Sequence, residues 1–378
     1  MPNQKIRVLH FFKTYLPDSF GGIEQFINQI CRGGSKQGIE SVVLTLSENP
    51  VPEKIQVDGH DVWRCKLDFN IASTGLSIGV CKKFKELVEQ ADIVHYQYPW
   101  PMMDLAHFFA AVKKPTIVSY QSDIVRQKML LNFYRPLQNK FLSSVDKIVA
   151  SSPNYFATSE VLQKYQEKVS VIPIGMDKAT YTLPSNKKMN EWRNVLGDKF
   201  FLFIGVLRYY KGLHILIEAA RTAKYPIVIV GAGPIEAELK AQASNYGLTN
   251  IHFTGRLAEE DKVALLQLSY AVVFPSHLRS EAFGISLLEG AMFGKTMISS
   301  EIGTGTTFIN IDGETGLVVP PSDAISLSQA MTWLWEHPEE SAEMGKNAEQ
   351  RYWKLFTAEA MVEKYVELYR ELVSKANL

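Results

Sequence analysis

Phe200-Phe201-Leu202-Phe203-Ile204-Gly205-Val206-Leu207-Arg208-Tyr209-Tyr210-Lys211-Gly212-Leu213-His214-Ile215-Leu216-Ile217-Glu218-Ala219-Ala220 carries the pattern that decides the fold. A strand of the buried type ends at Gly205, a short basic loop follows, and a helix is expected to begin near Gly212. Pro226-Ile227-Val228-Ile229-Val230-Gly231-Ala232-Gly233-Pro234 repeats the order strand, glycine, helix. Its Gly-x-Gly lacks the third glycine of the dinucleotide fingerprint, so it says little about a ligand. In a parallel α/β sheet, ligands bind outside the carboxyl ends of the strands, where helices begin. Arg208 and Lys211 stand at that place, where two cations would meet a diphosphate. A solvated basic loop is an equal reading of the same residues.

A second stretch, Ser280-Glu281-Ala282-Phe283-Gly284-Ile285-Ser286-Leu287-Leu288-Glu289-Gly290-Ala291, sets two carboxylates eight positions apart around an apolar segment. Glu281 falls in a small-residue turn after an expected strand over 271–276. Glu289 falls one to two turns into a helix that Gly284 would open. A helix start offers unpaired N–H groups and the positive end of the dipole, both suited to phosphate. The two glutamates would then grip hydroxyls on either side of a bound diphosphate, as in a nucleotide-sugar site. Taken alone the pair is also what an ordinary surface helix carries, because Glu is a good helix former.

The remaining chain alternates in the same way. Strands are expected over 5–11, 41–46, 93–96, 116–120, 147–151 and 169–172. Helices are expected over 23–34 and 78–90, and in a long amphipathic stretch over 125–143 that Pro136 should interrupt. This is the alternation of a parallel sheet with helices on both faces, repeated from residue 200 onward. A length of 378 residues favours two domains, with Pro173 and the polar run Ser185-Asn186-Lys187-Lys188 marking the junction. A last helix over about 358–374 ends the chain.

Forty basic and forty acidic residues balance, so no broad polyanion-binding face is expected and nucleic acid is not an expected partner. Cys31, Cys65 and Cys81 read as buried reduced thiols of a cytoplasmic protein, with neither metal spacing nor a disulfide framework. The sequence runs from Met1 into a strand without a signal-peptide h-region, and no apolar run is long enough to span a bilayer.

Three further segments join the 205–212 loop and the Glu281/Glu289 pair. They are Gly21-Gly22-Ile23-Glu24, Val171-Ile172-Pro173-Ile174-Gly175-Met176-Asp177 and Thr315-Gly316-Leu317-Val318-Val319-Pro320-Pro321. In this order, over essentially the whole chain, the five resemble glycosyltransferase family 4, retaining enzymes of GT-B fold. The resemblance implies an α/β protein of two Rossmann-like domains facing across a cleft. Residues 1–174 would bind the acceptor, 175–355 the nucleotide sugar, and 356–378 would form a helix packing back on the first domain. Lys13-Thr14-Tyr15, Gly21 to Gln25, Ser122-Asp123-Ile124-Val125-Arg126-Gln127-Lys128 and Gly303-Thr304-Gly305-Thr306 are similar to bacterial mannosyltransferases of O-antigen and polysaccharide assembly. The implied reaction moves a hexose, mannose from GDP-mannose, onto a glycan acceptor carried on a lipid. A UDP-sugar donor is the alternative within the family.

Residue by residue, the resemblance assigns Gly21 and Gly22 to a glycine loop lying against the donor, where glycine permits close approach or positive φ. A plain strand-to-helix turn is the other reading. Arg208 and Lys211 would neutralise the leaving diphosphate, where negative charge develops. Glu289 would accept from the ribose hydroxyls, and Glu281 would face the transferred sugar. Ala282, Phe283 and Gly284 would lie beside the sugar hydroxyls and phosphate, and Gly255 with Arg256 near the base. The leaving phosphate itself would take the acceptor proton, so Glu281 need not be a nucleophile. The sequence contains no Asp-x-Asp, so no metal is expected, and the nucleotide sugar is a substrate with no separate cofactor.

Two departures stand out. Val206 occupies the position where many family members carry Arg, and Arg208 lies two residues later. Gln121-Ser122-Asp123 stands where relatives often have His-Ser-Asp. Gln121 can bond a sugar hydroxyl but cannot hold a proton. The resemblance implies Glu281, Asp123 and Gln121 as the catalytic set, and a catalytically weak nucleotide-sugar-binding relative is the rival. A dehydrogenase is disfavoured, since a long loop separates the first strand from Gly21-Gly22 and Gly-x-Gly-x-x-Gly is missing. His10, His95 and His252 fall in strands without a ligand cluster, and His277 reads as a polar loop residue. Residues 125–141 mix Arg126, Lys128, Arg135 and Lys140 with Met129, Leu130, Phe133, Tyr134 and Phe141, in the same domain as Trp100, Lys113 and Lys114. Peripheral docking on the cytoplasmic face of the inner membrane is one expectation; an ordinary amphipathic helix is the other.

Overall fold

The computed structural model describes residues 5–71, 74–124 and 128–376. Its backbone divides into two compact units, Met1–Met176 with Ala358–Leu378, and Asp177–Thr357. Each unit is built on a sheet flanked by helices, so the α/β class expected from the alternation holds in both.

In the first unit the strands are β1 (Ile6–Phe11), β2 (Ile39–Ser47), β3 (Lys54–Val57), β4 (His60–Lys66), β5 (Phe69–Ile71), β6 (Thr74–Leu76), β7 (Ile93–Tyr98), β8 (Thr116–Tyr120), β9 (Lys147–Ala150) and β10 (Val169–Val171). Eight of them form one sheet in the order β10-β9-β8-β7-β1-β2-β4-β3, with β3 antiparallel to β4; β5 and β6 pair separately. Strands β3 to β6 lie in a polar, mixed stretch without an apolar run, which is why the alternation did not reveal them. Parallel strands covered on both faces read as continuous apolar runs. This sheet departs from that rule on one face. His10 lies opposite Val43 and His95, and Gln97 lies opposite Ser119. Side chains two apart share a face, so His10, Thr45, His95, Gln97 and Ser119 form a polar band toward the carboxyl ends of the strands. Two helices cover it, Gly22–Ser35 and the last one, Ala358–Ala376. The His95 ring lies 6.5 Å from Phe26 on the first and 5.2 Å from Tyr365 on the second.

Pro136 does not interrupt its helix, which runs unbroken over Lys128–Ser144. The proline is exposed, so the bond it cannot make is lost on the solvent side. Beyond it, buried Gln138, Phe141 and Leu142 anchor the helix, and Gln138 Nε2 donates to the Tyr98 hydroxyl at 2.6 Å.

In the second unit the strands are β11 (Phe201–Ile204), β12 (Ile227–Val230), β13 (Ile251–Gly255), β14 (Ala271–Phe274), β15 (Thr296–Ser300) and β16 (Gly316–Val319). They are parallel and ordered β13-β12-β11-β14-β15-β16. Phe201, Phe203, Ile229, Val273 and Ile298 pack against Leu213, Leu216, Met331 and Leu334 of the flanking helices. From β11 the chain winds outward one way to β13, and from β14 the other way to β16. The topological switch point therefore lies between β11 and β14, and in the first unit between β1 and β7. In such sheets the crevice outside the carboxyl ends of these strands is the ligand site.

Candidate active site

Both strands at the second switch point deliver a charged residue. Beyond β11 the chain makes one 3-10 turn, Tyr209–Lys211, and enters the helix Leu213–Ala219 through Gly212. Gly212 has φ 71°, and a Cβ there would stand 1.9 Å from the Pro275 carbonyl oxygen, so only glycine lets the β11 and β14 loops meet. That approach brings Lys211 Nζ onto Glu281 Oε2 as an ion pair. Lys211 is 9% exposed and Glu281 8%. Ser276 Oγ lies 3.5 Å from the same carboxylate oxygen, and the Phe274 ring lies 4.6 Å from the ammonium. The cation and carboxylate that the sequence assigned to two separate ligand groups are thus partners of each other. Arg208 is exposed and makes no ion pair among the described residues; Val206 is exposed as well.

The helix Ile285–Met292 starts at Gly284, whose φ is 100°, with no side chain capping it, so first-turn N–H groups have no side-chain partner. Phe283 is buried against Phe356, so only its backbone can meet a ligand. The Gly305 N–H donates to the Ala282 carbonyl at 2.9 Å, and buried Thr304 and Thr306 flank it; this turn braces the 282–284 loop from behind. Glu289 is buried, and its Oε1 accepts from the Tyr181 hydroxyl and from Lys262 Nζ, each at 2.9 Å. Burial works against the Lys262 charge, yet Glu289 and then Glu259 hold its pKa raised; burial followed by Glu289 pushes the Tyr181 phenol up. Neither partner stood out in the sequence, where Tyr181 lies in the inter-domain stretch and Lys262 in an unremarkable helix. Gly255 ends β13 with φ 71° and Arg256 is exposed. His277 is not a free loop residue: it is buried, edge-on to Tyr209 and His214, which stack on each other at 5.0 Å. Burial lowers the pKa of both histidines.

In the first unit, the glycine loop leads from β1 to the helix Gly22–Ser35. Gly21 is extended (φ −144°), so positive φ is not what requires it; a Cβ would stand 2.6 Å from Glu24 Oε2. Glu24 is buried under this loop and its Oε1 accepts from Ser19 Oγ at 2.7 Å. Gly22 is the first residue of the helix. Beyond β8, the Gln121 N–H donates to the Tyr98 carbonyl and its Nε2 donates to Gln97 Oε1 at 2.8 Å. Asp123 Oδ1 accepts from the Tyr120 hydroxyl at 2.9 Å and Ser159 Oγ at 2.8 Å, and its N–H donates to the Tyr155 hydroxyl.

Other sequence expectations need correction. Trp100 and Phe141 are fully buried and cannot dock on a membrane; Trp100 Nε1 donates to the Gly75 carbonyl at 2.8 Å. Tyr134 is half-buried and donates to Asp104. Arg126 lies outside the described residues. Cys31 is buried, but Cys65 and Cys81 are only half-buried. Among the described residues no cluster of three His, Cys, Asp or Glu could hold a metal, and no helix is long and apolar enough to cross a membrane.

Two Rossmann-like units, each on a mainly parallel sheet, give the chain the GT-B fold. Residues 184–351 match the family "Glycosyl transferases group 1" and residues 20–180 match "Glycosyltransferase Family 4". The chain is 61% identical over 353 residues to the D-rhamnosyltransferase WbpZ of Pseudomonas aeruginosa, covering 93% of each. It is 50% identical over 368 residues to the O-antigen chain mannosyltransferase C of Escherichia coli, covering 97% of this chain and 99% of that one. The chain therefore belongs to glycosyltransferase family 4 and is an enzyme of the hexosyltransferase type. Sucrose-phosphate synthase of Thermosynechococcus elongatus shares its fold with a TM-score of 0.80 at 19% identity, covering 98% of this chain and 100% of that one. Anabaena Alr3699/HepE in complex with UDP-glucose does so with 0.78 at 18%, covering 97% and 100%.

Proposed function

We propose that this enzyme transfers a manno-configured hexosyl residue from a GDP-sugar, with retention, onto a lipid-linked glycan in O-antigen or polysaccharide assembly. The observation that carries this reading is the buried Lys211–Glu281 pair at the switch point, beside an uncapped helix start, in a chain so similar to a mannosyl- and a rhamnosyltransferase. GDP-mannose is the first choice. D-rhamnose is 6-deoxymannose, so the 61% identical relative favours the 6-deoxy donor as the second reading.

The donor diphosphate would rest on the first-turn amides of the helix Ile285–Met292 and draw Arg208 to it. Lys211 would stabilise the charge that grows on the leaving phosphate. Glu281, oriented by Lys211, would accept from hydroxyls of the transferred sugar, and Glu289 would offer Oε2 to the ribose. Gly255 and Arg256 would border the base, and Gly21 and Gly22 would lie against the donor. The bond from C1 to the phosphate oxygen breaks and a bond from the acceptor oxygen to C1 forms on the same face, with the acceptor proton passing to the phosphate. Gln121 and Asp123 would hold substrate hydroxyls. Side-chain cations and amides balance the diphosphate, so the reaction would run without metal.

The acceptor's lipid would make peripheral membrane contact useful. Exposed Phe133 (86%), Arg135 and Lys140 lie on a helix packed against Pro101–Phe109, which exposes Leu105 and Phe109. Cations near an anionic leaflet contribute about 1 kcal/mol each.

A thermal-shift screen against GDP, UDP, ADP and their sugars tests the donor. A ligand at 100 times its Kd adds about 2.7 kcal/mol to the folded state. GDP and GDP-mannose should raise the melting temperature and uridine ligands should not; stabilisation by UDP-sugars alone would reject the proposed donor. Transfer of label from GDP-mannose to a lipid-linked glycan then separates an enzyme from a weak binding relative.

A further inference from the structure

Gln121 is the end of a buried polar chain. Its Nε2 donates to Gln97 Oε1 at 2.8 Å, and Gln97 Nε2 reaches His95 Nε2 at 3.3 Å. His95 Nε2 also lies 2.7 Å from Ser119 Oγ, which is 2.8 Å from the Tyr365 hydroxyl; His95 Nδ1 lies 2.7 Å from the Tyr369 hydroxyl. Gln97 and His95 are fully buried, as are Tyr365 and Tyr369 of the last helix. Burial lowers the His95 pKa to about 3, so its ring is neutral and carries one proton.

The two ends of the chain are linked through the amide of Gln97. An amide that turns its N–H to a bare ring nitrogen must turn its carbonyl the other way. With the His95 proton on Nδ1, donated to Tyr369, Nε2 is an acceptor for Gln97 and Ser119. Gln97 then shows Gln121 only an oxygen, and Gln121 must answer with its own N–H. The half-buried Gln121 is left with Oε1, which has no partner among the described residues. Were the His95 proton on Nε2, the arrangement would reverse along the chain and Gln121 would present its amide nitrogen.

We propose that Gln97, held by His95, is a positioning residue that makes Gln121 present its carbonyl oxygen as an acceptor for a sugar hydroxyl. This rests on Gln121 touching substrate, as proposed above. The hydroxyl belongs to either the donor hexose or the acceptor glycan.

The test is a double-mutant comparison of Gln97→Leu, Gln121→Ala and the pair, with Gln97→Glu as the conservative control, all checked for wild-type-like melting. Gln97→Leu should lower kcat/KM about tenfold, the worth of one hydrogen bond. In the Gln121→Ala background the same change should cost less than about twofold. Gln97→Glu, buried and so held protonated, can give its O–H to His95 Nε2 while keeping a carbonyl oxygen toward Gln121, and should stay within about threefold of wild type. A raised KM for nucleotide sugar points to a donor hydroxyl, and a raised KM for glycan to an acceptor hydroxyl. Equal losses in both backgrounds, or a Gln97→Glu variant as impaired as Gln97→Leu, would overturn the proposal. If Gln97→Leu does not fold, Gln97→Met takes its place in the same cycle. A wild-type chain that transfers from no nucleotide sugar would sink the functional reading instead. Titration calorimetry with the nucleotide sugar and its free nucleotide then runs the same cycle without turnover. Unequal loss of affinity for the nucleotide sugar, or for the glycan acceptor titrated in the same way, supports the positioning role, and equal or no loss for both rejects it.

Discussion

Lys211→Met should damage the fold and the reaction by separable amounts. The substitution leaves the Glu281 carboxylate buried, with Ser276 Oγ at 3.5 Å as its remaining side-chain partner among the described residues. Breaking a buried pair by removing one member costs about 3–5 kcal/mol, because an uncompensated charge remains. For a unit the size of Asp177–Thr357, each kcal/mol lowers Tm by about 2–4 °C, so the melting point should fall by about 6–20 °C. Glu281→Gln, which strands the ammonium instead, should fall in the same range. The double variant Lys211→Met/Glu281→Gln carries no stranded charge and should recover most of the loss. Its activity should not recover: each single variant and the double should lose about 10²–10³ in kcat, since both groups are assigned to the developing charge and the sugar. The assay is circular-dichroism melting alongside initial rates, measured well below the melting point of the weakest variant. Single variants melting within about 2 °C of wild type, or a double variant with restored turnover, would refute the reasoning. On the sequence alone neither residue would have been expected to matter to folding, because loops are usually solvated.

Acid should unfold the first unit. Burial holds His60 and His107 down to about 4 and His95 to about 3, and lowers His10 as well. Their folded values lie below the unfolded one of about 6.5, so stability is full above that pH and is lost as pH falls toward the folded values. At pH 5 His60, His95 and His107 each cost about 2 kcal/mol. Asp104, whose pKa burial raises, works in the opposite direction. A near-ultraviolet dichroism titration flat from pH 7.5 to 5 would exclude this. Transfer should survive excess EDTA; complete loss restored by Mg²⁺ or Mn²⁺ would show the diphosphate is held otherwise. Co-sedimentation with anionic liposomes should occur at low salt and weaken with Phe133→Ser or with charge reversal at Arg135 and Lys140, and binding indifferent to all three would dismiss the membrane surface.

The inner strands of both sheets were legible because buried parallel strands announce themselves: Phe200 to Gly205 and Pro226 to Gly231 admit little else, while the half-exposed β3 and β4 at the edge of the first sheet do not. Lys211 and Glu281 were legible as residues and not as a pair. Their meeting depends on Gly212 against the Pro275 carbonyl, a tertiary contact that no local pattern encodes. Lys262 and Tyr181 were invisible for the same reason, each lying far along the chain from Glu289. The helix through Pro136 was misjudged because a propensity of about 3 kcal/mol against proline is outweighed where neighbours such as Phe141 are buried. Gln121 was singled out, yet the meaning of its amide lay in Gln97 and His95, ordinary strand residues until the sheet register aligned them.

The last helix has a consequence in time. Residues Ala358–Ala376 close the polar band of a sheet whose strands are all made before residue 172. On the ribosome, His95 and Ser119 wait for Tyr365 and Tyr369 while the whole second unit is synthesised. A fragment ending near Met176 would thus carry a sheet with part of one face bare, and the first unit to be translated is the last to be finished.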